Sequence, residues 1–141
     1  MRLRIVGSDL PGGSCGDYTG VQVGVQRRTE VVDAVSADAE SVVFDLDVAV
    51  VDTDDGADFR GPFVHGQRGG RFVYLVWTHT DASGKQVMFR RAKLLLAPVA
   101  ALVSAADAGQ GVVGTLALTD AYGAPVCAPV TPPAITWQVA A

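Results

Sequence analysis

Apolar and polar residues alternate with a period of two along several segments of this chain, for example at 21–26 and 42–50. The segment 72–79 is apolar on both faces, which indicates a central strand covered on both sides. Because a period of two is typical of β-strands and a helical period is scarce, the chain is predicted to be mainly β. The predicted strands are 2–5, 21–26, 42–50, 72–79, 87–95, 112–119 and 135–139.

Two segments have the composition of tight turns, Asp81–Gly84 and Asp120–Gly123. Each has Asp first and Gly fourth, which favours a type I turn followed by a residue at positive φ. The first turn predicts a hairpin that pairs Trp77 with Phe89, Leu75 with Arg91 and Val73 with Lys93. One face of this hairpin would carry Trp77, His79, Arg91 and Lys93, a mixed aromatic and cationic surface suited to planar or anionic small molecules.

One segment favours a helix, Pro98 to Ala108. Proline suits the first helical position, and Gly109 can end the helix. The segment 53–70 is predicted to be a long loop. We therefore expect a single domain, 1–141, with a mainly antiparallel sheet of about seven strands curled into a barrel or a two-layer sandwich, and one short helix over about 98–108.

Composition narrows the classes of function. The chain has 15 acidic and 11 basic residues and a formal net charge of −4, which argues against nucleic acid and anionic membranes as main partners. It has no apolar run of 18 residues and no hydrophobic leader segment, so a cytoplasmic protein is expected. In that compartment Cys15 and Cys127 would be reduced, although they could in principle pair.

The segment 58–71 combines three arginines, one histidine, two phenylalanines and four glycines. Arginine offers paired donors to carboxylate or phosphate, so one interpretation is a loop that holds an anion through Arg60, His65 and Arg71. The other interpretation is structural. In it Arg60 pairs with Asp58, and the phenylalanines pack into the core.

Arg90 and Arg91 are consecutive in a predicted strand, so their side chains should project to opposite faces. If the strand is central, one guanidinium lies on a covered face, where an unpaired charge costs several kcal/mol. It would need a carboxylate, with Asp45 and Asp47 as candidates, or a wet cavity, or an anionic ligand.

Motifs for catalysis and metal binding are missing from the sequence. His65 and His79 are the only histidines, and no Gly-x-Ser-x-Gly turn presents a serine. The cysteines and histidines lack the spacing of zinc ligands, and the glycine-rich segments lack the Gly-Lys-Ser/Thr of a phosphate loop. We predict no metal site and no cofactor, and no catalytic residue can be assigned.

Several segments together resemble an uncharacterised actinobacterial family of small single-domain proteins. They include Leu10-Pro-Gly-Gly-Ser-Cys-Gly16, Asp58-Phe-Arg-Gly-Pro-Phe-Val-His-Gly66, Arg71-Phe-Val-Tyr-Leu-Val-Trp77, Met88-Phe-Arg-Arg-Ala-Lys-Leu94 and Leu118-Thr-Asp-Ala-Tyr-Gly-Ala-Pro125. This resemblance implies a domain of unknown function and adds no activity or site residue.

The expected function is a noncatalytic module that binds a small molecule or a protein, with an anionic or aromatic ligand favoured. Its predicted ligand-binding residues are Arg60, His65, Arg71, Tyr74, Trp77, Arg90 and Arg91. The first alternative is an enzyme without a covalent step, an isomerase, cyclase or lyase, that uses His65 or a carboxylate in the mouth of a β-barrel. A closed pocket of several hundred Å³ that holds a base and an arginine would distinguish it. The second alternative is a structural homodimer formed through exposed strand edges.

Overall fold

Strands make up most of the described chain. The computed structural model describes residues 1–8, 20–37, 41–80, 83–103, 110–117 and 134–140. In chain order the strands are β1 (Arg2–Ser8), β2 (Gly20–Arg27), β3 (Glu30–Asp33), β4 (Ser36–Ala37), β5 (Ser41–Asp47), β6 (Ala49–Thr53), β7 (Gly56–Arg60), β8 (Phe72–Thr80), β9 (Gln86–Leu95), β10 (Val112–Ala117) and β11 (Thr136–Val139). The predicted mainly β fold is confirmed.

Two sheets contain most of these strands. The first sheet has the order β11-β10-β1-β5-β4 and the second has the order β3-β2-β8-β9, while β6 and β7 form a separate hairpin. The pairs are antiparallel except for β1 with β10, which is parallel. In the second sheet β8 lies between β2 and β9, as its apolar residues on both faces predicted.

The two sheets share one hydrophobic core. Leu3, Ile5 and Phe44 are buried in the first sheet, and Leu75 and Trp77 are fully buried in the second. All of them belong to a single cluster. Because alternate residues of a strand point to opposite faces, each sheet contributes one face to this cluster. The architecture is therefore a two-layer sandwich, and the described strands do not close into a barrel.

A short helix, α1 (Ala97–Ala100), follows β9 directly. Pro98 lies in its first turn, where backbone N–H groups have no acceptor within the helix, so the N–H that proline lacks costs no hydrogen bond. Val99 is buried in the core. The predicted start of the helix is confirmed, residues 101–103 form a turn, and 104–109 lie outside the described residues. Among the helices of the described chain, none has the length and apolar character needed to cross a membrane.

The β8–β9 hairpin has the predicted register only near its turn. Thr78 pairs with Met88 as predicted, but Trp77 pairs with Arg90 instead of Phe89, because β9 contains one extra residue at a bulge. From there the pairing is shifted by one, so Leu75 lies opposite Ala92 and Val73 opposite Leu94. A shift of one residue exchanges the two faces of a strand. Trp77 therefore faces the core, and the predicted common face with Arg91 and Lys93 is wrong.

The predicted strand 42–50 is two strands, β5 and β6. Its buried alternation continues through Phe44, Leu46 and Val48 as predicted. The break comes at Val48, which leaves β5 and exchanges two backbone hydrogen bonds with Met1, at 2.8 and 2.9 Å. These two bonds continue the pairing of β1 with β5, in which Arg2 lies opposite Asp47, by one residue.

The predicted loop 53–70 contains a strand, so that prediction is wrong for its first part. β7 pairs with β6 through a turn at Asp54 and Asp55, and Gly56 takes φ +109°. This φ is open to glycine and strained for other residues. The Asp-Gly pair between two short β-forming segments is a recognised hairpin signal.

Some sequence predictions lie outside the described residues. They are the turn 120–123, the residues Cys15 and Cys127, the end of the strand 112–119, and residues 81 and 82 of the first turn. The side chains of His79 and Arg90 also lie outside, although the backbone of both residues is placed in strands.

Candidate functional site

The outer face of the second sheet, opposite the core, carries aromatic and cationic side chains on neighbouring strands. In the ladder Tyr74 lies opposite Lys93, and Val76 lies opposite Arg91. Because the core takes the intervening residues of both strands, Tyr74, Arg91 and Lys93 share the other face. Arg91 is exposed, and the other two are half-buried.

Arg91 and Lys93 each lie over an aromatic ring. The Arg91 Cζ atom is 4.6 Å from the centroid of Tyr74, and the Lys93 Nζ atom is 4.6 Å from the centroid of Phe72. The two rings meet edge to face, with centroids 4.7 Å apart and planes at 73°. At exposed sites a cation–π contact contributes about 0.5–1 kcal/mol, enough to orient a long side chain. We call His65, Phe72, Tyr74, Arg91 and Lys93 the cation–aromatic surface.

His65 completes this surface from the loop before β8. Its backbone exchanges hydrogen bonds with Phe72, at 2.9 and 3.1 Å, which holds it beside the sheet. The Nε2 atom lies 3.1 Å from the backbone oxygen of Gln26, and because a carbonyl only accepts, Nε2 carries the proton. The ring lies 5.1 Å from the centroid of Tyr74 and 5.9 Å from that of Phe72.

Gln26 on β2 connects the histidine to the arginine. Its side-chain oxygen accepts a long hydrogen bond of 3.4 Å from Arg91, and its side-chain nitrogen donates to the Arg28 carbonyl at 2.8 Å. The amide is therefore oriented with its oxygen toward Arg91. Sequence reasoning missed Gln26 and Phe72 as part of the site, because both are recognised only from the strand pairing.

A second group of arginines surrounds one carboxylate. Asp58 on β7 is buried, and its two oxygens accept hydrogen bonds from Arg71, at 3.1 and 3.3 Å. Arg60 and the backbone N–H of Phe59 donate to the same carboxylate, at 3.3 and 3.0 Å. The hydrogen bond from Arg71 holds the pKa of Asp58 below its usual range. Arg60 and Arg71 are thus engaged by the protein itself, as the structural interpretation of this segment expected for Arg60.

A small hollow lies beside this carboxylate. Its volume is about 140 Å³, and besides Asp58 and Arg71 it is lined by apolar or small residues, Ala57, Phe59, Gly69, Ala97 and Ala100. Pockets that enclose drug-sized ligands measure about 300–1,000 Å³. The hollow contains a carboxylate and an arginine, but it falls short of the pocket expected for the enzyme alternative.

The remaining predicted site residues lie apart from the surface. Trp77 is fully buried in the core. Arg90 lies in β9 opposite Trp77, and its side chain is outside the described part. The premise that its strand is central is wrong, because β9 is at the edge of the second sheet among the described strands. Arg91 lies on the outer face and reaches solvent without a buried counter-charge. The predicted residues that come together on the cation–aromatic surface are His65, Tyr74 and Arg91, whereas Arg60 and Arg71 meet at Asp58.

Asp45 and Asp47, the suggested partners of Arg90 and Arg91, lie in the other sheet. Asp45 instead binds Arg4 on the adjacent β1 through two hydrogen bonds, of 2.7 and 3.1 Å. The hydrogen bond from Arg4 lowers the pKa of the Asp45 carboxyl. That partnership was wrong because β5 pairs with β1 and not with β9.

No group of three potential metal ligands comes together among the described residues. No curated protein and no solved structure matches the chain. A family model described as a family of unknown function, DUF5990, matches residues 1–140, and the chain belongs to that family.

Proposed function

We propose that this domain is a noncatalytic binding module that holds an anionic partner on the cation–aromatic surface. The observation that carries the proposal is the placement of Arg91 and Lys93 over aromatic rings on the outer face of the sheet. Rings orient these cations without neutralising them. Their N–H groups are left to bind a carboxylate or phosphate.

A comparison with three arginines that form ion pairs supports this proposal. Arg4, Arg68 and Arg71 each lie within 3.1 Å of an aspartate oxygen. In the described part of the chain, the contacts of Arg91 and Lys93 are to rings and an amide rather than to a carboxylate. A cation whose charge is not compensated nearby attracts anions more strongly than one in an ion pair.

The distribution of charge along the chain supports it further. Four of the eleven basic residues, Lys85, Arg90, Arg91 and Lys93, and none of the fifteen acidic residues lie between residues 82 and 106. The chain as a whole has a net charge of −4, so this basic segment contrasts with the rest of the molecule. A local excess of one sign attracts the opposite charge over a distance of about 8–10 Å at physiological salt.

The test is a titration of the whole protein with isophthalate, a planar dicarboxylate, followed by amide chemical shifts. We expect the shifts to change around Tyr74, Arg91 and Lys93, and the Arg91→Ala variant to bind about tenfold more weakly. Arg4→Ala is the matched control, because it removes the same charge from the other sheet. Equal binding by the wild type and Arg91→Ala, or shifts confined to residues elsewhere, would overturn the proposal.

We also make a proposal for the cellular compartment and the source of the protein. We propose a cytoplasmic protein of actinobacterial origin, because two cysteines in 141 residues are few for a secreted domain and because several segments resemble such a family. Nucleic acid and anionic membranes are not among the proposed partners, since the net charge is negative.

A further inference from the structure

We infer that β9 accepts an extended acidic peptide as an added strand, with carboxylates at alternate positions opposite Arg91 and Lys93. This inference rests on the proposed function and goes beyond it by naming the partner and its docking geometry. Three features of β9 lead to it: its place at the edge of the sheet, the direction of its free backbone groups, and its charge.

Within the described strands, β9 is the last strand of the second sheet and pairs on one side only, with β8. After the bulge, pairing with β8 is continuous from Arg90 to Leu95. A regular edge strand presents a row of backbone N–H and C=O groups that another extended chain can bind. The six residues 90–95 are long enough for such a strand, since a typical strand has about 5–6 residues.

The direction of the backbone groups follows from contacts at the end of the hairpin. The Leu96 N–H donates to the Arg71 carbonyl at 3.0 Å, so this pair is hydrogen-bonded. Phe72 directs both of its backbone groups to His65, away from β9. Hydrogen-bonded and non-hydrogen-bonded pairs alternate along an antiparallel ladder. The residues of β9 whose N–H and C=O point to the free edge are therefore 91, 93 and 95.

Two of the three residues that offer their backbone to the edge also carry the oriented cations. Arg91 and Lys93 are two positions apart, so their Cα atoms are separated by about 7 Å along the strand. A residue of an added strand directly opposite would lie about 5.5 Å away, with its side chain on the same face. Carboxylates at alternate positions of the peptide would thus reach both cations while the peptide backbone binds the edge.

Charge selects an acidic peptide over a second copy of this chain. If two β9 strands paired antiparallel about Ala92, Arg91 of each copy would lie opposite Lys93 of the other. Like charges opposite each other destabilise a strand pair. Residues 82–106 contain four basic residues and no acidic residue. The edge therefore repels its own copy and favours an acidic segment.

The experiment uses the whole protein and an acetylated, amidated peptide, Thr-Glu-Thr-Glu-Thr, in isothermal titration calorimetry. In the docked strand the two glutamates donate their N–H groups to β9, and the central threonine points its N–H away. N-methylation of both glutamates should weaken binding by about tenfold to a hundredfold, since each lost hydrogen bond counts for about 1 kcal/mol. N-methylation of the central threonine is the matched control, and it should change binding by less than about twofold.

Exchange of the charges on β9 and on the peptide tests whether Arg91 and Lys93 recognise the glutamate side chains. The double variant Arg91→Glu, Lys93→Glu should lose the acidic peptide and bind Thr-Lys-Thr-Lys-Thr instead. If isophthalate binds and the two methylated peptides bind equally well, the added strand is overturned while the proposed function stands. If neither isophthalate nor the parent peptide binds, both are overturned.

Discussion

The two faces of the β8–β9 hairpin differ in what their aromatic residues do. On the inner face Trp77 is fully buried and packs with Leu75 and Leu94 in the core. On the outer face Tyr74, three positions away, lies under the exposed guanidinium of Arg91. Both residues were predicted to bind a ligand, yet only Tyr74 is placed where a ligand can reach a cation. The face a residue occupies, more than its type, decides between packing and binding.

The bulge in β9 produces this difference. Without the extra residue, Trp77 would pair with Phe89 and share the face of Arg91, as the turn predicted. With it, the core receives Trp77, Ala92 and Leu94, and the cations move to the outer face. Bulges are common on edge strands, where they redirect side chains. In this hairpin one inserted residue decides which side chains of β9 pack into the core and which lie on the charged outer face.

The largest loss of stability is expected when Trp77, on the inner face of the hairpin, is truncated. Trp77→Ala should lower the free energy of unfolding by about 3–5 kcal/mol, because it leaves a large cavity in the core. Denaturation by urea, followed by far-UV circular dichroism, measures the loss. Leu95→Ala is the control, since Leu95 is 38% exposed and its truncation should cost less than about 1 kcal/mol. If the Trp77→Ala protein keeps its stability but no longer binds isophthalate, Trp77 contributes to ligand binding and not to the core.

A smaller loss of stability is expected when Asp58 is replaced, the carboxylate to which Arg60 and Arg71 donate hydrogen bonds. The pKa of Asp58 is lower in the folded chain than in the unfolded chain, so the carboxylate contributes stability at neutral pH. This contribution is lost as the pH falls below about 4 through the folded-state pKa. Asp58→Asn should be less stable than the wild type at pH 7, and the difference should shrink on acidification.

Thermal unfolding of both proteins between neutral and acidic pH measures this difference. Asp45→Asn is the control, because the Arg4–Asp45 pair is partly exposed, with side chains 46% and 28% accessible, and contributes little. The pKa of Asp45 is also lowered, so some acid sensitivity persists in Asp58→Asn. A wild type and an Asp58→Asn protein that differ equally at all pH values would contradict the role assigned to the carboxylate.

The sequence predicted the strands far better than the pairing between them. Alternation located β1 and β2, and a run of residues apolar on both faces located β8, because burial leaves a direct pattern in the chain. The bulge left no such pattern, so the partners of Trp77 and Arg91 were wrong. The Asp58–Arg60 pair is local and was foreseen as the structural alternative. Arg71 binds the same carboxylate although it is 13 residues away in the sequence. The fold of the loop between them brings the two side chains together, and the sequence does not show this.

The smallest effect is expected when the ring beneath Arg91 is removed. Tyr74→Leu keeps an apolar side chain on the outer face but removes the ring that contacts Arg91, Phe72 and His65. The loss of a cation–π contact and of edge-to-face packing should lower the free energy of unfolding by about 1 kcal/mol. Urea denaturation measures this cost.

Tyr74→Phe is the matched control, because it keeps the ring and should remain close to the wild type. The same pair of variants separates orientation from charge in binding. If the ring orients Arg91 for an anion, Tyr74→Leu should weaken isophthalate while Tyr74→Phe does not, although neither variant changes the charge of the protein. Equal affinity in all three proteins would mean that Arg91 acts through its charge alone, and that the aromatic rings of the outer face serve the fold and not the ligand.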